Sequence, residues 1–231
     1  MSGAGPDDLV IEIGPGGGIL TDALARRAGT VVAYEKDPRY ADRLHNRYRD
    51  NPQVHCFHRD FLSTSPPRRD FLIVANIPYS VTAGIVNWCL AAPRMRTATL
   101  LTQLEYARKH TGDYGRWSRL TVLNWPRFDW KLLGRVGRDH FHPRPRVNSG
   151  ILSLRRRDRP LVPEATQPDW QRFVELGFTG VGGTLHASLR RRYGRRAVDA
   201  GFSSARLPKT TVVGQVTPDQ WLALFGRIMR L

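Results

Sequence analysis

Short apolar runs of strand length recur along the first two thirds of the chain: Leu9 to Ile13, Val31 to Tyr34, Val54 to Phe57, Phe71 to Ala75, Ala98 to Leu104 and Gly150 to Leu154. A further pair of strands is expected between Leu120 and Val136. Leu20 and Leu24 repeat at i, i+4 in ILTDALARR, and a polar helix is expected around Tyr40 to Arg49. Apolar strands alternating with helices predict an α/β fold whose mostly parallel sheet is covered on both faces. Ligands on such sheets sit beyond the carboxyl ends of the strands.

After Leu154 the texture changes. The stretch RRRDRPLVPEATQP is charged and broken by proline, which predicts a boundary, with a sheet-bearing domain over 1–157 and a small all-helical C-terminal domain over 158–231. Within the latter, DWQRFVELGF, TLHASLRRRYGRRAVDAGF and TPDQWLALFGRIMRL each carry apolar residues at helical spacing behind a Thr or Asp. The last places Pro218 after Thr217 and sets Trp221, Leu224, Phe225 and Ile228 along one face.

Charge narrows the class of partner. Lys and Arg number 36 against 20 Asp and Glu, a formal net charge of +16, spread over both predicted domains. A field of that sign draws in polyanions, and nucleic acid is the expected partner. Phosphate contacts are expected from Arg135, Arg138, Arg144, Arg146 and Arg155 to Arg157, and from the arginines between Arg190 and Arg196. The two cysteines, Cys56 and Cys89, lie far apart, and His140 and His142 have no Cys or carboxylate cluster beside them, so neither a disulfide framework nor a metal site is expected. The apolar runs fall short of the ~20 residues of a membrane-spanning helix. A cytoplasmic location is expected.

Four motifs carry chemistry. In VIEIGPGGG a strand ends at Ile13, and Gly14, Gly16 and Gly18 turn the chain toward a helix; glycine lets the backbone bend and approach a ligand. The spacing is GxGxG rather than the GxGxxG of dinucleotide folds, which favours a methyl donor over a nicotinamide. Glu35 ends VVAYE, 21 residues beyond Gly14, where a carboxylate can take both hydroxyls of a ribose. Asp60 in FHRDFL can accept from an adenine amino group, with Phe61 as apolar wall and backbone donor, although an N-cap role suits Asp60 equally well.

The fourth motif, Asn76-Ile77-Pro78-Tyr79, follows directly on the strand FLIVA and so stands on the carboxyl rim of the sheet. An exocyclic aromatic amine is a poor nucleophile because its lone pair is delocalised into the ring. Two acceptors, the Asn76 side-chain oxygen and a backbone carbonyl near Ile77, would draw its N–H groups out of plane and free that lone pair. Tyr79 would stack on the base and stabilise the positive charge that builds during transfer. No strong general base is then needed.

EIGPGGGILT, AYEKD, RDFL, NIPYSVTAGIV and FHPRPRVNSGIL, taken in order, resemble the successive motifs of the ribosomal RNA adenine N6-methyltransferases. The resemblance covers about residues 9 to 155 and implies a Rossmann-like sheet that binds S-adenosylmethionine. It implies that Gly14 and the Gly16 to Gly18 turn line the methionine end, that Glu35 holds the ribose and Asp60 with Phe61 the adenine, and that Asn76 contacts both donor and target. Tyr79 and Phe141 resemble the aromatic pair that sandwiches the flipped adenine, and the 158–231 domain would bind RNA. NIPY and the TPxQWxxLF pattern of the tail look like the Erm branch, whose members modify large-subunit ribosomal RNA and block macrolide, lincosamide and streptogramin B antibiotics. A monomer is expected from the habit of the superfamily.

Family members usually carry a longer N-terminal segment, with Gln-Asn-Phe, that covers the methyl donor. Only eight residues precede Leu9 here, so that cover is expected to be absent: the sequence is truncated, activity is reduced, or another segment closes the site. The competing expectations are a small-subunit adenine dimethyltransferase, a non-catalytic RNA-binding relative and a nicotinamide-dependent oxidoreductase. The spacing of the glycines and the NIPY motif disfavour the last.

Overall fold

The structure, a computed structural model, describes residues 3–230. In chain order its elements are β1 (Leu9–Ile13), α1 (Ile19–Ala25), β2 (Thr30–Glu35), α2 (Pro38–Arg47), β3 (Val54–His58), β4 (Phe71–Asn76), α3 (Thr82–Ala91), β5 (Met95–Gln103), α4 (Leu104–Thr111), α5 (Arg119–Asn124), β6 (Phe128–Val136) and β7 (Ser149–Arg156). The helices α6 (Gln167–Phe178), α7 (Leu185–Tyr193), α8 (Arg195–Ser204) and α9 (Pro218–Met229) follow.

The seven strands form one sheet in the order β3-β2-β1-β4-β5-β7-β6. Neighbours from β3 to β5 are parallel, and β7 returns antiparallel to β5. Strand β1 is buried at every position, as a central parallel strand covered on both faces must be. The chain runs outward from β1 through β2 to β3, then crosses back to lay β4 against the other side of β1. In α/β sheets ligands bind at such a reversal, beyond the carboxyl ends of the strands, which here are those of β1 and β4.

Two compact units emerge. One runs to Ala107 and resumes over Lys131–Arg156; the other joins Arg108–Trp130 to the chain from Arg157 onward. The core of the first includes Val10, Leu24, Val31, Leu44 and Val54. That of the second is built on Trp170, Phe173, Leu189, Phe202, Trp221 and Phe225, and it also takes in Val122. Each large apolar side chain buried in this way contributes about 2 kcal/mol.

The structure departs from the sequence expectations at particular places. Residues 108–130 group with the helical unit, whereas the sequence suggests one boundary at Arg157 and Asp158. Leu120 to Val136 holds α5 and β6 rather than two strands: the Ser118 hydroxyl caps the helix by accepting the Thr121 N–H at 3.1 Å, and Thr121 and Val122 are fully buried. TLHASLRRRYGRRAVDAGF is two helices, because Gly194 sits at φ 73°, ψ 157° and breaks the ladder between α7 and α8. β5 stops at Gln103, and Leu104 begins α4. Helix α9 opens as the sequence predicts, with Thr217 and Gln220 forming a reciprocal capping box ahead of its apolar face.

Candidate active site

The donor side is held by backbone groups. Past the end of β1, Gly14 (φ 64°), Gly16 (φ 53°) and Gly18 (φ 82°) all lie in the left-handed region that favours glycine. A Cβ at Gly14, Gly16 or Gly17 would meet nothing within 4 Å, so open space faces the loop. Gly18 is tighter, since a Cβ there would lie 2.9 Å from Leu44 Cδ2. The Gly14 N–H donates to the Tyr34 carbonyl at 2.9 Å, and the Gly16 N–H donates to Glu35 Oε2 at 3.0 Å, which ties the loop to β2.

Glu35, at the end of β2, is buried, and its Oε1 accepts the N–H groups of Lys36 (2.8 Å) and Asp37 (2.9 Å). Three backbone donors meet a carboxylate that has about four acceptor positions. One position on Oε2 remains for a ligand hydroxyl. A carboxylate with spare capacity beside a glycine loop free of side chains suits a nucleoside-bearing methyl donor.

Behind the loop, Glu12 on β1 is 1% exposed, and its Oε2 has no hydrogen-bond partner among the described residues. Burial pushes its carboxyl up to about 7; Asp22 and Glu35 add to the shift, and the Thr21 hydroxyl offsets part of it. Asp60 begins a short 3-10 turn at Phe61: Oδ1 accepts the Leu62 N–H at 3.0 Å and Oδ2 pairs with Lys36 Nζ at 2.8 Å. The Lys36 ammonium and the Leu62 N–H hold the Asp60 carboxyl below its usual range. Phe61 turns its ring into the core against Trp88, 4.4 Å between centroids, so what it can offer a ligand is its backbone.

On the target side, β4 is buried from Phe71 to Ala75 and ends in an exposed Asn76. Register pairs Ile11 of β1 with Ile73 of β4, which places Asn76 and the glycine loop on the same rim of adjacent strands. Ile77 is buried and donates its N–H to the Leu101 carbonyl at 3.3 Å, anchoring the motif to β5. Pro78, at φ −60° and ψ 133°, leads into a 3-10 turn over Tyr79–Val81. Tyr79 is half-buried, and its hydroxyl lies 2.8 Å from Ser149 Oγ. Phe141 closes a turn by donating its N–H to the Arg138 carbonyl at 3.3 Å; the Arg138 N–H in turn donates to Asn148 Oδ1 at 3.1 Å.

The model of the ribosomal RNA adenine dimethylase family matches residues 3–230. The chain belongs to that family. An rRNA adenine N-6-methyltransferase of Streptomyces fradiae is 54% identical over 95% of this chain and 70% of its own length. The mycinamicin-resistance protein MyrB of Micromonospora griseorubida is 33% identical over 94% of this chain and 68% of its own length. The crystal structure of the 23S rRNA methyltransferase ErmE superposes with a TM-score of 0.96 at 49% identity, covering 99% of this chain and 93% of that one.

Four side chains that lie within the quoted motifs but carry no role on sequence grounds contact or neighbour the candidate residues: Glu12, Lys36, Asn148 and Ser149. Lys36 was findable from its place beside Glu35, but the others depend on contacts distant in sequence. The basic run also divides. Arg135, Arg138, Arg144 and Arg146 are exposed, as are the arginines from Arg190 to Arg196, while Arg156 donates to the Met95 and Ala92 carbonyls and Arg157 to that of Trp125. Among the described residues no group of three or more His, Cys, Asp or Glu could hold a metal ion. No described helix is long and apolar enough to cross a membrane.

Proposed function

We propose that the chain methylates the exocyclic N6 of an adenine in 23S ribosomal RNA and so confers resistance to macrolide, lincosamide and streptogramin B antibiotics. The observation that carries this reading is the exposed Asn76 at the end of a buried strand, on the rim it shares with an open glycine loop and the Glu35 carboxylate. The similarity to ErmE supports the large-subunit target. The 108–130 and 157–231 helical unit contributes RNA contacts, and the acting species is a single cytoplasmic chain without a metal.

S-adenosylmethionine supplies an electrophilic methyl carbon on a positively charged sulfur. Gly14 and Gly16 would let the backbone approach its methionine end, the free position on Glu35 Oε2 would accept from its ribose, and Asp60 with the Phe61 backbone would flank its adenine. Asn76 accepts one N–H of the target amine through its side-chain oxygen, and the carbonyl near Ile77 accepts the other, with Pro78 holding the turn. Tyr79 and Phe141 stack on the target base, each stacking contact supplying roughly 1 to 3 kcal/mol toward extraction of the base from its helix. With S-adenosylmethionine bound, its methyl group would be available to the nitrogen lone pair that Asn76 and the carbonyl near Ile77 free, and the proton displaced from that nitrogen would pass to water.

Transfer of label from S-adenosylmethionine to protein-free 23S and 16S RNA, with mapping of the modified base, tests this. Label on N6 of a 23S adenine is expected. Label confined to 16S RNA would assign the small-subunit reaction instead, and no label on either RNA would leave a non-catalytic binder.

A further inference from the structure

Tyr79 and Ser149 lie 70 positions apart in the chain, yet their hydroxyl oxygens are 2.8 Å apart. Ser149 is the first residue of β7, in register with Gln103 at the end of β5, and it is fully buried. The preceding carbonyl, of Asn148, accepts the Leu104 N–H at 2.9 Å, so the corner from which the serine projects is fixed by backbone hydrogen bonds on both sides. Among the described residues the Tyr79 hydroxyl is the sole hydrogen-bond partner of the Ser149 hydroxyl. A buried hydroxyl is costly to leave unmatched, and this one neither caps a helix nor bonds to the backbone.

We infer that Ser149 is a positioning residue for methyl transfer: its hydroxyl fixes the orientation of the Tyr79 ring against which the target adenine is held. The inference rests on the base-holding role proposed for Tyr79. A phenyl ring alone would supply the same stacking face. What the phenolic hydroxyl adds is an anchor on the sheet that stops the half-buried ring from swinging, and small misplacements of a positioning group are expensive in rate. The same corner secures the neighbouring turn, since Asn148 Oδ1 holds the Arg138 N–H three residues before Phe141.

A double-mutant cycle tests the inference on this chain, with kcat at saturating RNA, S-adenosylmethionine affinity and melting temperature read for each protein. Ser149→Ala and Tyr79→Phe should each lower kcat by about 3- to 10-fold, the loss expected for one hydrogen bond, with donor affinity unchanged. The double variant should be no slower than the slower single variant. Multiplying losses would show that Ser149 acts independently of the tyrosine hydroxyl and would overturn the inference, as would a fall in donor affinity that tracks kcat. Tyr79→Phe keeps the ring and provides the same test if Ser149→Ala fails to fold. The two readings separate cleanly. If Tyr79→Ala transfers at the full rate, the base-holding role falls; if Tyr79→Ala is crippled while Tyr79→Phe and Ser149→Ala run at the full rate, the positioning role alone falls.

Discussion

On the donor side the Glu35 carboxylate gathers the N–H groups of Gly16, Lys36 and Asp37, whereas on the target side the Tyr79 ring is held by one hydroxyl pair and the Phe141 turn by one side-chain carbonyl. A methyl donor has a constant shape, and on the proposed reading the backbone cradle around Glu35 would pre-organise its site at little cost. On the proposed reading the other side must admit a base extracted from RNA, which suits exposed groups on loops fixed through a few side-chain contacts with the sheet. Substitutions on the two sides should therefore fail in different assays.

The largest effect is expected for Asn76→Ala, which removes the acceptor proposed for the target amine: transfer should fall on the order of 100-fold or more while donor affinity stays within about twofold. Single-turnover transfer and equilibrium donor binding check this. A matching loss of donor affinity would erase the division between the two sides. Glu35→Ala should do the reverse and weaken the donor by roughly 10- to 100-fold, because it strands three backbone N–H groups as well as the ribose hydroxyl proposed to bind there. Calorimetric titration would show it. Phe141→Ala should lower transfer by about 10-fold, the loss of one stacking contact, with donor binding intact.

The smallest effect concerns stability and sharpens the donor side. Glu12 has a folded pKa of about 7 against an ordinary value of 4.5. The fold therefore favours its protonated form, and the stabilisation this gives is complete below pH 4.5 and lost as pH rises toward 7. Glu12→Gln should remove that decline. Its melting temperature relative to the unsubstituted protein should climb by a few degrees between pH 4.5 and 7 and level off above. A constant difference across the window would show that Glu12 is already ionised in the fold.

Much of the local geometry around the candidate site is legible in the sequence because its signals are local. Gly14, Gly16 and Gly18 mark a turn that their own backbone angles require, and Asn76 to Tyr79 announces a strand end by following an unbroken apolar run. Glu35 is recognisable as the last residue of its strand. The reading of Asp60 was open between cap and ligand contact, and the structure shows the cap together with a Lys36 ion pair that spans 24 residues. Phe61 reads from the sequence as apolar wall and backbone donor, because its sequence neighbours do not reveal Trp88, the ring it packs against.

The sequence by itself determined the alternation of strands and helices, the glycine turn, the capped last helix and the basic character, since each follows from spacing within a few residues or from a sum over the chain. Tertiary structure decided the rest. Only strand order puts the ends of β1 and β4 side by side, only packing with the helical core assigns Val122 and residues 108–130 to the second unit, and only burial decides the proton on Glu12. The Tyr79–Ser149 contact belongs to this second group, because a hydrogen bond across 70 residues depends on where two strands end in space and leaves no periodic trace in the chain.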